Sequence, residues 1–176
     1  MPPLTDQLDL ERLGLKPGGG SRFDIRVRVG AFIFGAQRYE LADDPVEVLV
    51  DVTRTTSGYV IRARCEAELE GPCMRCADDF ALPLKIDQSE IHEPRIGSDL
   101  ASDYVEGTNF DIAAFVRDAI GLALPPSISG RIDQQSGGCV DCGRGPDQLQ
   151  ELGLTVVEAV EHEPDPRWAK LRELEL

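Results

Sequence analysis

Two short cysteine pairs hold the residue types best suited to chemistry, Cys73-Met74-Arg75-Cys76 and Cys139-Val140-Asp141-Cys142. Each is a Cys-x-x-Cys step, the spacing at which two thiolates can grip one metal ion. Together Cys73, Cys76, Cys139 and Cys142 could supply the four sulfurs of a closed tetrahedral zinc site, so zinc is the candidate cofactor. Gly143 follows the second pair, where a residue often needs positive φ. Ala77 stands at the matching place after the first pair. Two other readings stand beside zinc. The pairs could be reduced or intermittently oxidised thiols, or one could be a thioredoxin-like redox centre. The last wants a helix after the first cysteine, and Ala77-Asp78-Asp79-Phe80-Ala81-Leu82-Pro83 reads as turn and strand instead. The fifth cysteine, Cys65, falls on the apolar side of an alternating run and reads as core.

At 176 residues the chain is long enough for one domain, and 41% hydrophobic residues suffice for a core. Lys and Arg number 18 against 32 Asp and Glu, a net charge of −14. That sign repels phosphate backbones at long range and favours basic protein partners. No apolar run is long enough to span a bilayer. The opening Met1-Pro2-Pro3-Leu4-Thr5-Asp6 lacks the pattern of a signal peptide. A reducing, cytoplasmic setting is therefore expected, in which paired cysteines more often mean metal than disulfide.

The elements that must position the cysteines are mostly strands. Phe23 to Val29, Val46 to Arg54, Tyr59 to Glu70 and Phe80 to Ile91 alternate apolar and polar residues, the mark of half-buried strands. The first cysteine pair then sits on the link between two antiparallel strands. Ala31 to Phe34 reads as an edge segment. Residues 4 to 15 read as a short helix or an extended arm, and Lys16-Pro17-Gly18-Gly19-Gly20 as a break. His92 to Gly107 reads as a solvated acidic loop. Asn109 is the expected cap of a helix running to about Leu122, with Ile112, Phe115, Val116, Ala119 and Ile120 on one face. Pro125-Pro126 stops it. Ser127 to Gln148 looks irregular, residues 149 to 160 offer a short strand, and Asp165-Pro166 opens a last helix with Trp168, Leu171 and Leu174 as its stripe.

The expected fold is α+β. An antiparallel sheet or partly open barrel over residues 23 to 91 is covered by one amphipathic helix. An irregular cysteine-containing segment and a short terminal helix follow. The expected division is an arm at 1–22, a core at 23–125 and a Cys-x-x-Cys tail at 126–176, packed on or tethered to the core.

The order of these features resembles the YceD family, the large ribosomal RNA subunit accumulation proteins. Cys73-Met74-Arg75-Cys76 follows a hairpin strand, Phe110-Asp111-Ile112 opens the helix and Leu122-Ala123-Leu124-Pro125 closes it. Cys139-Val140-Asp141-Cys142-Gly143 comes next, and Asp165-Pro166-Arg167-Trp168 lies near the end. The resemblance covers most residues from about Phe23 onward. It implies a non-enzymatic role in large-subunit ribosomal RNA accumulation and ribosome assembly, with ribosomal RNA, a basic ribosomal protein or both as partners. Relatives commonly carry further cysteines before the last pair, where this chain has Ser129, Gln134 and Ser136. A zinc shell here would thus need the first pair, or His162.

The competing class is a thiol–disulfide oxidoreductase using one cysteine pair. Neither His92 nor His162 lies in a motif, and no phosphate-cradling or nucleophile-elbow glycine motif appears. No membrane and no small-molecule substrate are implied. Arg26 with Arg28, and Arg62 with Arg64, share polar strand faces and are the candidate nucleic-acid contacts, since Arg can fork onto phosphates and stack on bases. Alternate Arg on an exposed sheet face also pairs readily with acids, and Asp24, Glu66 and Glu68 are at hand.

Overall fold

A computed structural model describes residues 1–94, 100–131, 138–142 and 145. In chain order the strands are β1 (Gln7–Asp9), β2 (Gly20–Val27), β3 (Phe32–Phe34), β4 (Gln37–Leu41), β5 (Val46–Arg54), β6 (Tyr59–Pro72), β7 (Asp79–His92), β8 (Val105–Glu106) and β9 (Asn109–Asp111). Helix α1 (Ile112–Ala123) follows. The protein is α+β: mostly antiparallel sheet with one helix among the described residues, and neither sheet closes into a barrel.

The long β6–β7 hairpin is the frame. Its fourteen pairs run without a break from Tyr59 opposite His92 to Pro72 opposite Asp79. The other edge of β6 takes β5 along its first half and β4 near its end, and β2 pairs β5 on the far side. Alternation fixes which face is buried. On β5, Val46, Val48, Val50 and Val52 are buried, while the alternate residues Glu47 and Thr53 are exposed and Leu49 and Asp51 half-buried. A one-residue slip would turn that whole set to water. Pro83 lies inside β7 without breaking it. Its partner Glu68 accepts on its carbonyl from the Ala42 amide at 2.9 Å, so the backbone of Glu68 faces away from β7. Glu68–Pro83 is therefore a non-hydrogen-bonded pair, where a missing N–H leaves the ladder intact.

A small sheet in the order β1-β9-β8 lies beside the large one. Residues 4 to 9 are thus extended rather than helical, and Leu10 to Leu13 form a turn. Thr5 donates to the Arg26 carbonyl and Arg26 to that of Pro3. Leu10 is buried in the core, and Tyr59 donates its hydroxyl to the Leu10 carbonyl at 3.2 Å. The glycine run is not a clean break, because Gly20 opens β2 opposite Thr53 and Gly18 donates to the Arg54 carbonyl. β5 is long enough to offer partners there.

The helix starts later than expected. Asp111, not Asn109, is the cap and accepts from the Ala114 amide at 2.8 Å. Asn109 is used by β9, opposite Asp9. Ile112, Phe115, Val116, Ala119 and Ile120 form the buried face, and α1 contacts β7, β1 and β2. The helix ends before Pro125, as a residue preceding proline leaves the helical region. Arg117 ties α1 to the turn after β2, donating to the carbonyls of Val29 at 2.7 Å and Ala31 at 2.8 Å.

Residues 100–107 are more ordered than their composition suggests. Ser102 donates its amide to Nδ1 of buried His92 at 3.3 Å, and burial lowers the pKa of that imidazole. Tyr104 sets its ring edge-on to Phe110 and Phe115. These anchors are single residues among acids, so no periodicity announces them. The expected strand within 149–160, the last helix from Asp165 and the partner His162 lie outside the described residues.

Candidate metal centre

The first cysteine pair is built by the hairpin link. Cys73 donates its amide to the Asp78 carbonyl at 2.8 Å, and Ala77 donates back to Cys73 at 2.9 Å. This closes the six-residue link between β6 and β7. Ala77 takes a φ of 60°, the left-handed turn a glycine would adopt with less strain. Both sulfurs face inward, and Cys73 and Cys76 are buried.

The second pair is brought in by the segment after α1. Met74 donates its amide to the Ile128 carbonyl at 2.8 Å, and the Ile128 amide reaches the Met74 thioether at 3.4 Å. Three residues on, the Arg131 carbonyl accepts from the Val140 amide at 2.8 Å. The Arg131 amide donates to the Asp141 carboxylate at 2.6 Å, and its guanidinium to the same group at 2.9 Å. Residues 128–131 therefore lie between the two Cys-x-x-Cys turns and bond to both.

The result is four sulfurs, of Cys73, Cys76, Cys139 and Cys142, all within 4.8 Å of one another. Three of the four cysteines are buried, and all are free thiols. Tetrahedral thiolate sites have metal–sulfur bonds of about 2.3 Å, hence sulfurs roughly 3.8 Å apart. This cluster is close to that spacing and could bind a metal ion. Gly130 fits the same purpose. A Cβ built there would lie 2.5 Å from the sulfur of Cys139 and 3.1 Å from that of Cys142. The cradle is thus shaped around the sulfurs by the absence of a side chain.

The electrostatics are uneven. Burial works against a Cys73 thiolate, but the amides of Cys76, Gly130 and Arg75 and the Cys76 thiol donate to its sulfur and bring it down to about 7. The Arg75 amide does so at 3.4 Å. Burial raises Cys142 and Cys76, and the Cys73 sulfur adds to the rise in both. One thiolate is thus favoured beforehand, and a divalent metal would displace the remaining protons. Cys65 stands apart on the core face of β6, its thiol pushed up to about 11 by burial. The spacing of the cysteines pointed to the four sulfurs. It said nothing of Gly130, Ile128 or the Arg131–Asp141 clasp, for which no local motif exists.

The candidate nucleic-acid residues lie elsewhere. Arg26, Arg62 and Arg64 share the polar face of the β2–β5–β6 layer, since Arg26 stands opposite Glu47, and Arg62 and Arg64 opposite Asp51 and Leu49. Arg28 follows the end of β2 and is exposed. Acids interleave on this face. Arg62 makes two bonds to Asp87, at 2.5 and 2.6 Å. Arg64 and Arg22 both engage Asp51, Arg22 at 2.6 Å, and these guanidiniums hold the Asp51 carboxyl below its usual range. Arg26 donates to the Pro2 carbonyl at 3.0 Å.

No helix among the described residues is long and apolar enough to cross a membrane. No curated protein and no solved structure matches the chain significantly. The family described as "Large ribosomal RNA subunit accumulation protein YceD" matches residues 61–175, from the start of β6 through both cysteine pairs. On that match over most of its length, the chain belongs to the YceD family.

Proposed function

We propose that this chain is a non-enzymatic, cytoplasmic factor that supports large-subunit ribosomal RNA accumulation by holding a basic ribosomal protein during assembly. In this reading zinc on Cys73, Cys76, Cys139 and Cys142 is structural: four sulfurs around a closed cradle leave no open position for a substrate. The observation that carries the choice of partner is the charge pattern. The chain has a net charge of −14, and on the one face where arginines gather, Arg62 and Arg64 are already engaged by Asp87 and Asp51. Such pairs leave little free positive charge for phosphates, whose binding depends on it. Basic proteins meet the opposite balance.

The second reading is direct RNA contact by Arg26, Arg28, Arg62 and Arg64. Charge reversal separates the two. Full-length protein and its Arg62→Glu/Arg64→Glu variant are titrated with separated basic large-subunit proteins and with large-subunit ribosomal RNA fragments, folding being checked by circular dichroism. The expected result is salt-sensitive protein binding that the variant retains, and RNA binding near background in both. RNA affinity that is strong in the parent and lost in the variant would reverse the assignment. Thiol–disulfide exchange has one observation in its favour, the Cys73 thiol at about 7, a value thioredoxin-type nucleophiles share. Insulin reduction by the metal-free chain that Cys73→Ser abolishes would establish it.

A further inference from the structure

Among the described residues, β7 is paired on one side only. Its partner is β6, and among the described residues no strand pairs with the far edge of β7. The ladder shows which residues face outward. On β6, Glu68 accepts from Ala42, and Gly58 just before the strand accepts from Thr55. The even-numbered residues of β6 thus turn their backbone groups toward β4 and β5. The odd-numbered ones turn toward β7, opposite its even-numbered residues. Backbone direction alternates along a strand, so Ala81, Pro83, Lys85, Asp87, Ser89 and Ile91 present their backbone groups away from the sheet. Pro83 has no N–H to offer, and proline at such a place discourages a further strand. From Lys85 to Ile91 nothing does so. Lys85, Asp87, Ser89 and Ile91 each offer an N–H and a C=O, and no backbone hydrogen bond outside the strand ladder involves any of them among the described residues. Seven extended residues reach roughly 20 Å, the length of an ordinary strand.

We propose that this edge, Lys85 to Ile91 of β7, is a docking edge for an extended basic segment of a partner protein, which adds to the sheet as a further strand. The proposal rests on the reading above that the partner is a basic ribosomal protein. Main-chain pairing supplies affinity in this mode, and alternate side chains supply the choice of partner. Here the side chains ask for positive charge. Asp87 is paired with Arg62 and Lys85 with Glu66, which leaves half-buried Glu90 as the acid without an ion pair at this edge among the described residues; Gln88 is exposed and Ile91 is a 49% exposed apolar anchor. The whole chain carries −14, so a second copy would meet strong like-charge repulsion and a Lys- or Arg-bearing strand would not.

The test uses the isotope-labelled full-length chain and a capped peptide alternating Lys with Val and Thr, about eight residues long, a usual strand length. The expected result is new protection from hydrogen exchange at the amides of Lys85, Asp87, Ser89 and Ile91. An equal peptide with Glu in place of Lys gives none. Ser89→Pro removes one outward N–H at the same kind of position that Pro83 already occupies, so the β6–β7 ladder keeps its bonds. It should weaken the Lys peptide at least about tenfold. Unchanged affinity in that variant overturns the proposal. So does protection of these amides in the free chain, whether independent of concentration, meaning that other residues of the chain cover the edge, or rising with concentration, meaning self-pairing. If Ser89→Pro perturbs the fold, Gln88→Lys/Glu90→Lys must instead shift preference toward the Glu peptide, and an unshifted preference sinks the idea. Basic large-subunit proteins that bind Ser89→Pro as tightly as the parent refute the docking edge and leave the proposed function standing. Their failure to bind the parent refutes the proposed function itself.

Discussion

Gly130 has no side chain, and the spacing of the sulfurs depends on that. Its φ is not in the left-handed region, so an alanine there is resisted by contact and not by backbone strain. The contact is severe, because a Cβ would come 2.5 Å from the Cys139 sulfur and 3.1 Å from that of Cys142. The sulfurs or segment 128–131 must move, and the Gly130 amide that donates to Cys73 moves with them. At the proposed zinc site Gly130→Ala should therefore weaken metal binding by about 10- to 100-fold, the usual effect of disturbing a partner behind the ligands. Competition with a chromophoric chelator measures it, and Ser129→Ala is the control expected to bind as the parent does. An unchanged zinc affinity in Gly130→Ala would mean the sulfurs do not need this cradle. The cysteines were legible because Cys-x-x-Cys is a local spacing. Gly130 was not, since its role exists only once residues far apart in sequence meet.

Long elements announced themselves, as did the short apolar edge strand β3, but the strands of the small sheet did not. β5 and the β6–β7 hairpin fall where alternation places them, because nine and fourteen residues allow several repeats of a period of two. The strands β1, β8 and β9 have two or three residues each, too few for any period, and exist because they pair with one another. That pairing also decided the start of the helix. Both Asn109 and Asp111 are capping types, but β1 pairs with all of β9, so the backbone stays extended from Asn109 through Asp111 and the last of these residues becomes the cap. Asp111→Ala should cost about 1 kcal/mol of folding stability in urea titration. Asn109→Ala, lacking the capping role, should stay within roughly 0.5 kcal/mol. Equal losses would contradict the assignment.

At the scale of the molecule the four cysteines join the end of the hairpin to the chain beyond α1. A metal bound only by this folded arrangement stabilises it by mass action. Removing the proposed zinc with a chelator should speed hydrogen exchange at Met74, Arg75 and Val140, whose amides lie in the two turns. The centre of the large sheet, Val48 to Val52 and Ile61 to Ala63, should keep its protection, since its core does not depend on the sulfurs. Uniform loss across both regions would instead mark the metal as a requirement for the whole fold.

The sequence by itself determined the α+β class, the main strands, the apolar face of α1 and the four cysteines that could share a metal. Each of these follows from a period or spacing within one segment, set by backbone geometry and ligand chemistry. Only the tertiary structure decided that residues 4 to 9 pair as an extended arm, that Asp111 rather than Asn109 caps the helix and that Gly130 shapes the sulfur cradle. It alone showed that Arg62 and Arg64 face Asp87 and Asp51, and that among the described residues β7 has one unpaired edge. Those outcomes depend on which residues meet across the fold, and contact between distant segments leaves no period in the chain that makes it.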